Sequence, residues 1–321
     1  MEKSINSIQA VGSIEELNFK IEEKEVTLKN SKGKEKKTKC KQIAKADWRN
    51  PNITIKSNDN IIGFHFYPTN EKKLDDNGDI VDNPRFKAIQ TVSEYAKGTR
   101  VKIDGSFLNN EYPTDDEEYK SFVQLNAFSV TSTGVGDEDY CDGSLSGIIK
   151  SIKPEMKGED ETGRKIVEFL YLNSNLDIFP ISLILEEDLV DEFEDRYSKG
   201  DCVVLDIECV TRTVGNTEKK SNGFGRQSHR VSGYTVTEYR IFSGGNVLED
   251  ENPNYLSKED VKKKLNERDI MIEQKIKEKK DSNKKGFVDK SRDNEFVEGK
   301  FASEDAIDDP FAIDPKVDMP F

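Results

Sequence analysis

Apolar residues recur along this chain with two periods, and the two alternate. Val101, Ile103 and Phe107 fall on one face with Lys102 and Asp104 between them. Val203, Leu205, Ile207 and Cys209 repeat the pattern about 100 residues later. Alternation of this kind predicts a strand with one face buried. Before each such strand the spacing becomes helical. Phe86, Ile89, Val92 and Ala96 form one apolar stripe, opened by Asn83 as a cap and Pro84 as the first helical residue, and closed at Gly98. Leu189, Val190, Phe193 and Tyr197 form the other, ending at Gly200. Glu186, Glu187 and Asp188 suit the positive end of that second helix. Both helices run through Tyr-x-Lys-Gly into the strand that follows.

Further strand-like runs surround each pair. "SIQAVGSI", "NITIK" and "NIIGFHFYP" precede the first helix; "GSLSGIIKSI", "KIVEFLYL" and "IFPISLIL" precede the second. "YKSFVQLNAFSV" (119–130) and "YTVTEYRIF" (234–242) close the two copies. The unit is three strands, a helix and two strands, occurring twice. That order is what an oligonucleotide/oligosaccharide-binding barrel (OB-fold) requires, with its helix between strands three and four. The alternative is another small β-barrel or an α+β domain. The expected fold is mainly β: two tandem five-stranded OB-fold barrels, each with one helix, over residues 1–139 and 140–250. A charged helix and linker follow over 251–300, then a disordered acidic tail over 301–321. In the charged segment Ser257 and Asp260 form a capping pair, and Val261, Leu265, Ile272 and Ile276 give a thin apolar stripe. Residues 281–300 read as polar linker.

Composition agrees with compact domains diluted by solvated segments. Hydrophobic residues make up 34% and charged residues 35% of the 321 positions. No apolar run reaches the roughly 18 residues of a membrane span, and "MEKSINSIQAVG" has no signal-peptide core, so a soluble protein of the cytoplasm is expected. Cys40, Cys141, Cys202 and Cys209 form no CxxC pair. His65 and His229 lie far apart, so no metal site is expected, and Cys202 and Cys209 read as small buried thiols.

The net charge of −14 is uneven, and this changes the picture. Residues 20–56 hold 12 basic against 5 acidic residues. Lys34, Lys36, Lys37, Lys39, Lys41, Lys45 and Arg49 crowd one stretch, with Gly33 to make a turn and Trp48, the single tryptophan, beside them. Lysines along a hairpin can follow a phosphate backbone, and rings between them can stack on bases. Phe64 and Phe66 share a strand face and read as core, with His65 and Tyr67 on the other face. The second copy carries an insertion at 212–233, read as a loop between its last two strands. It bears Arg212, Lys219, Lys220, Phe224, Arg226 and Arg230. Nothing suggests catalysis or a cofactor: there is no GxxxxGK[ST] loop, no G-x-S-x-G and no HExxH, and "GFGR" (223–226) lacks a surrounding βαβ unit. Asp75/Asp76 and Asp115/Asp116 lie in expected loops and read as solvated surface.

The chain closes on "DPKVDMPF". Asp318, Met319, Pro320 and Phe321 resemble the tip of bacterial single-stranded DNA-binding proteins, which end in acids, an apolar residue, proline and phenylalanine. Pro315, Lys316 and Val317 interrupt the acidic run and depart from that pattern. The hairpin "KGTRVKIDGSFLNNEYPTDDEEYKSFVQLNAFSV" resembles the last hairpin of the same family. Acidic tails with an aromatic end also occur in phage single-stranded DNA-binding proteins. The resemblance implies binding and protection of single-stranded DNA in replication, recombination and repair. It also implies recruitment of a polymerase, helicase or primase by Asp314, Asp318, Met319, Pro320 and Phe321. Two barrels in one chain fit a monomer. The alternatives are an RNA-binding or strand-annealing module, and an acidic assembly protein that binds no nucleic acid.

Overall fold

The computed structural model describes residues 5–44, 50–114, 119–173, 177–220 and 228–289, with the backbone alone at 213–220, 228–235 and 282–289. Its elements in chain order are β1 (Asn6–Leu17), β2 (Ile21–Lys29), β3 (Glu35–Ile43), β4 (Ile53–Ser57), β5 (Asn60–His65), β6 (Thr69–Asn70), β7 (Lys72–Leu74) and β8 (Ile80–Asp82). Helix α1 (Pro84–Ser93), β9 (Arg100–Pro113) and β10 (Tyr119–Ser132) follow. Then come β11 (Tyr140–Lys157), β12 (Asp160–Leu172), β13 (Ile178–Leu185), a short 3-10 turn (Glu187–Leu189) and α2 (Val190–Arg196). The chain continues through β14 (Cys202–Lys220), β15 (Ser228–Gly244) and α3 (Lys258–Asp289).

The protein is mainly β. Five strands close a barrel through the pairings β1–β4, β4–β5, β5–β10, β10–β9 and β9–β1, with β5–β10 parallel and the rest antiparallel. The second copy repeats the circuit as β11–β12, β12–β13, β13–β15, β15–β14 and β14–β11, again with one parallel pair, β13–β15. Helices α1 and α2 stand between the third and fourth strands of their circuits. All the paired-strand runs expected from sequence are present. Ile8, Ile55, Phe64, Ile103 and Phe107 of the first circuit and Val167, Phe169, Leu183, Leu205 and Cys209 of the second belong to one continuous buried cluster. Phe64 and Phe66 are core, as their shared face predicts. The four cysteines are buried and free.

The two circuits meet along β1 and β11, which pair antiparallel with Ile8 opposite Gly143. The register shows what kind of meeting this is. In both circuits the fifth strand carries a bulge, at Phe128 and at Phe242. Aligning the bulges matches Gly105 with Ile207, and Gly105 pairs with Ile8 while Ile207 pairs with Gly143. Ile8 and Gly143 are therefore equivalent positions that face each other. That is the signature of an isologous, two-fold contact, here within one chain. The same symmetry holds at the two long hairpins. Asn109 of β9 donates to Pro180 O (3.2 Å) on β13, and its equivalent Thr211 of β14 accepts from Ile61 N (3.2 Å) on β5. Each fourth–fifth strand hairpin thus reaches over the opposite circuit.

Several details differ from the sequence reading: α2 spans only Val190–Arg196, with Leu189 in the preceding 3-10 turn, Tyr197 extended and Gly200 at positive φ in the turn before β14. Helix α1 ends at Ser93, so Ala96 is exposed, and Gly98 takes its positive φ in the turn before β9 rather than at the helix end. Over its described residues the 212–233 insertion is paired strand rather than loop: the β14–β15 ladder continues without a break from Arg212↔Val236 to Lys220↔Ser228. Helix α3 runs on to Asp289, into residues read as linker. The cap at Asn83 is as expected, with its Oδ1 accepting from Arg85 N at 3.1 Å, and Nδ2 also donates to Asn70 O at 2.9 Å. Asn83→Ala is expected to cost about 1–2 kcal/mol by urea denaturation.

Candidate nucleic-acid interface

In β4 and β5 the pleat sends Ile53, Ile55, Ile62 and Phe64 into the barrel and turns Thr54, Lys56, Ile61, Gly63 and His65 outward. This outer face is polar at its centre. Lys56 is exposed, Ile61 is 45% exposed, and Tyr67 just beyond β5 is 42% exposed. Burial raises the Tyr67 hydroxyl above its ordinary pKa, with the charge of nearby Arg85 acting against it. Gly63 is required: a Cβ there would lie 2.5 Å from the ring of Pro51, which leans on the face.

The connection between β1 and β4 is the β2–β3 hairpin, where the lysine run lies. Val26, Leu28 and Cys40 pack on Leu74 of the small β7–β8 hairpin and form a separate minor core. The opposite side carries Lys29, Lys37, Lys39 and Lys41, but also Glu23, Glu25 and Glu35, because the register sets Glu23 across from Lys41 and Glu25 across from Lys39. Lys39 pairs with Glu23 (3.3 Å) and Lys29 with Glu35 (3.1 Å). Lys36 faces the other way toward Asp79 (3.7 Å), and Lys34 Nζ donates to Asn77 O (2.7 Å). The excess of positive charge along the sequence is thus partly compensated in space. Such exposed pairs contribute only about 0–1 kcal/mol, so a phosphate can replace the carboxylate partner at little cost.

Of the other site residues expected from sequence, Lys45, Trp48, Arg49, Phe224 and Arg226 lie outside the described residues, as do Asp314, Asp318, Met319, Pro320 and Phe321. Arg230 lies on β15 opposite Glu218. Arg212, at the root of the β14–β15 arm, is held by Glu238 (2.8 Å). That pair belongs to a network that sequence alone does not reveal. Arg164 grips Glu155 with two hydrogen bonds (2.7 and 2.8 Å) and reaches Glu186 and Glu238 (3.4 Å each), while Arg240 holds Glu238 (2.9 Å) and Glu186 (3.1 Å). Burial pushes the Glu155 and Glu238 carboxyls up, but their hydrogen bonds and charge contacts with these arginines bring both below the ordinary range.

The equivalent face of the second circuit is different. Through the register, Ile53 corresponds to Val167, so Lys56 corresponds to Leu170 and Asn58 to Leu172. Leu170, Leu172 and Ile178 are 5%, 1% and 2% exposed, covered by Leu256 and by Val261 and Leu265 of α3. Ser257 caps that helix, accepting from Asp260 N at 3.1 Å. Farther along, Arg268 makes an ion pair with the buried Glu111 of β9 (2.5 Å), and Lys279 Nζ donates to Pro113 O (2.8 Å). Burial and the Glu111 carboxylate push the Tyr119 hydroxyl up to about 12. A cavity of about 380 Å³ remains between α3 and the β9–β10 arm, lined by Asn109, Glu111, Ile178, Arg268, Met271 and Lys275 among others.

These pairings define a mainly β protein in which, among the described residues, the outer face of the first barrel's second and third strands exposes Lys56 and Ile61 and is touched by Pro51 at Gly63. The chain belongs to the YorF family, whose model matches residues 5–282. No curated protein matches it. Among solved structures, a deletion mutant of the single-stranded DNA binding protein from Thermus aquaticus is similar at a TM-score of 0.41 and 10% identity, covering 79% of this chain and 100% of that one. The wild-type Thermus aquaticus protein is similar at a TM-score of 0.39 and 10% identity, covering 80% of this chain and 98% of that one. Among the described residues, no helix is long and apolar enough to cross a membrane and no cluster of potential metal ligands occurs.

Proposed function

We propose that both circuits are OB-folds, in domains spanning about residues 1–139 and 140–250, and that the chain binds single-stranded DNA. The observation that carries the reading is the outer face of β4–β5, polar and exposed at Lys56 among the described residues, flanked by a lysine-bearing hairpin between the first and second strands. In OB-folds that face and the adjoining loops take the ligand. Lys56 and the exposed Lys37, Lys39 and Lys41 supply phosphate contacts, and Ile61 and Tyr67 supply apolar surface against bases. Lys45, Trp48, Arg49, Phe224, Arg226 and Arg230 extend the same proposed contact. The terminal Asp-Met-Pro-Phe is proposed as a docking peptide for replication enzymes, with Phe321 entering an apolar pocket and Asp314 and Asp318 meeting basic residues at its rim.

Titration with oligo-dT at several salt concentrations tests the reading. Binding is expected to weaken with salt, to quench Trp48 fluorescence, and to exceed binding to duplex DNA. Replacing Lys37, Lys39 and Lys41 together with alanine is expected to flatten the salt slope by about 2, at about 0.7 for each lost phosphate contact. No binding to oligo-dT at low salt would sink the proposal, and tighter binding to an RNA of the same length would shift it to RNA.

A further inference from the structure

We infer that the chain offers one strand-binding face rather than two: the β4–β5 face, edged by the root of the second circuit's arm, takes the strand, while α3 fills the equivalent face as a fixed part of the fold. This inference rests on the proposed binding of single strands and narrows it to one site.

The argument comes from positions that the internal two-fold makes equivalent. Where the first circuit has Lys56 and Asn58, the second has Leu170 and Leu172. Lys56 stands in solvent, within electrostatic reach of Glu15 and Asp139, where a phosphate can compete for its charge. Leu170 and Leu172 carry no group that a phosphate could use, and they are sealed by Val261 and Leu265. A face of leucines beneath an amphipathic helix is matched to that helix and would be costly to expose to water. Helix α3 is also tied down beyond this patch, by Arg268 to the buried Glu111 and by Lys279 to Pro113 O. Glu111 belongs to the first circuit's arm, so the helix joins both halves and cannot leave one without releasing the other.

The open face, by contrast, gains a border. Thr211 accepts from Ile61 N, and its own amide donates to Asn60 Oδ1 (2.7 Å). This sets the base of the β14–β15 arm against the turn that ends the open face. The root of that arm, at Thr211, therefore stands at the first circuit's edge, although the chain assigns it to the second. One site is built from both halves.

Three full-length variants test this against labelled oligo-dT, with strands bound per chain counted by titration. Lys56→Glu is expected to weaken binding at least tenfold. Ser182→Glu, which places the same charge on the exposed part of the second face, is expected to stay within twofold of the parent chain. Leu265→Asp, which loosens α3, is expected to lower the melting temperature while leaving one strand per chain and affinity within threefold. A second strand per chain or a longer site in Leu265→Asp, or a loss in Ser182→Glu equal to that in Lys56→Glu, overturns the inference but leaves strand binding intact. If Leu265→Asp does not fold, the other pair still decides. A parent chain that binds no oligo-dT removes both the inference and the proposed function.

Discussion

Arg164→Ala is expected to destabilise the protein by about 3–5 kcal/mol. Glu155 is nearly fully buried and takes both of its close charge-assisted hydrogen bonds from this one guanidinium, with Thr162 Oγ1 its remaining donor at 2.8 Å. Removing Arg164 takes away both of Glu155's direct charge-assisted hydrogen bonds and leaves only the more distant charge of Arg212 to offset the desolvation of a nearly buried carboxylate. Glu238 fares better, because Arg212 and Arg240 still hold it. Arg164→Lys keeps the charge but not the two-pronged grip, so an intermediate loss is expected. The midpoint and slope of urea denaturation measure both variants. A loss below 1 kcal/mol in Arg164→Ala would show the network to be replaceable by water.

The same network predicts an acid limb. Glu155 and Glu238 sit below their ordinary pKa in the fold. Their contribution is fully present above the unfolded carboxyl pKa of about 4.3 and is lost as pH falls through the lower folded value. Stability measured between pH 5 and pH 3 is therefore expected to fall, and to fall less steeply in Arg164→Ala, which has already lost the interaction.

The second large effect is expected at Gly143. A Cβ at this position would stand 2.6 Å from Ser7 O and 2.7 Å from the ring of Phe107. Neither neighbour can move freely. Ser7 is backbone in β1, and Phe107 is fully buried with its ring edge-on to Tyr239 at 5.6 Å. Gly143→Val must therefore push β11 away from β1, at a cost of about 3 kcal/mol or more. Gly134→Ala, with nothing within 4 Å of the added carbon, is the control and is expected to change stability by less than about 0.5 kcal/mol. Because one buried cluster runs through both circuits, calorimetry of the parent chain is expected to show a single transition. Two separate transitions, with Gly143→Val moving one of them alone, would contradict that continuity.

Much of the strand order was legible in the sequence because it is written in local signals. The alternation of Val101, Ile103 and Phe107, the helical stripe of Phe86, Ile89 and Val92, and their counterparts near 200 each need only a few neighbouring residues to be read. The pairing of Glu23 with Lys41 and of Glu25 with Lys39 leaves no such local signal, although it lies within one hairpin, because it depends on register. A shift of one residue would have placed those lysines on the other side. Contacts between distant segments left still less trace. Arg212 with Glu238, Arg268 with Glu111 and Thr211 with Ile61 join residues whose partners are set by how the two circuits cross. One signal was available for the covered face: "FLYL" at 169–172 is apolar on both sides of its strand, whereas "ITIKS" at 53–57 is not. A strand that is apolar on both faces needs a cover on each.

The pairing of β1 with β11 has a further consequence. Two identical subunits joined across a two-fold axis share every residue, so a leucine placed on one ligand face appears on the other as well. In a single chain that carries both halves, each position is inherited once. Lys56 and Leu170 can then diverge, and one face can specialise while its counterpart becomes scaffold. The joint also cannot be diluted apart. The arrangement keeps the rigidity of a dimer at any concentration while freeing its two halves from having to remain alike.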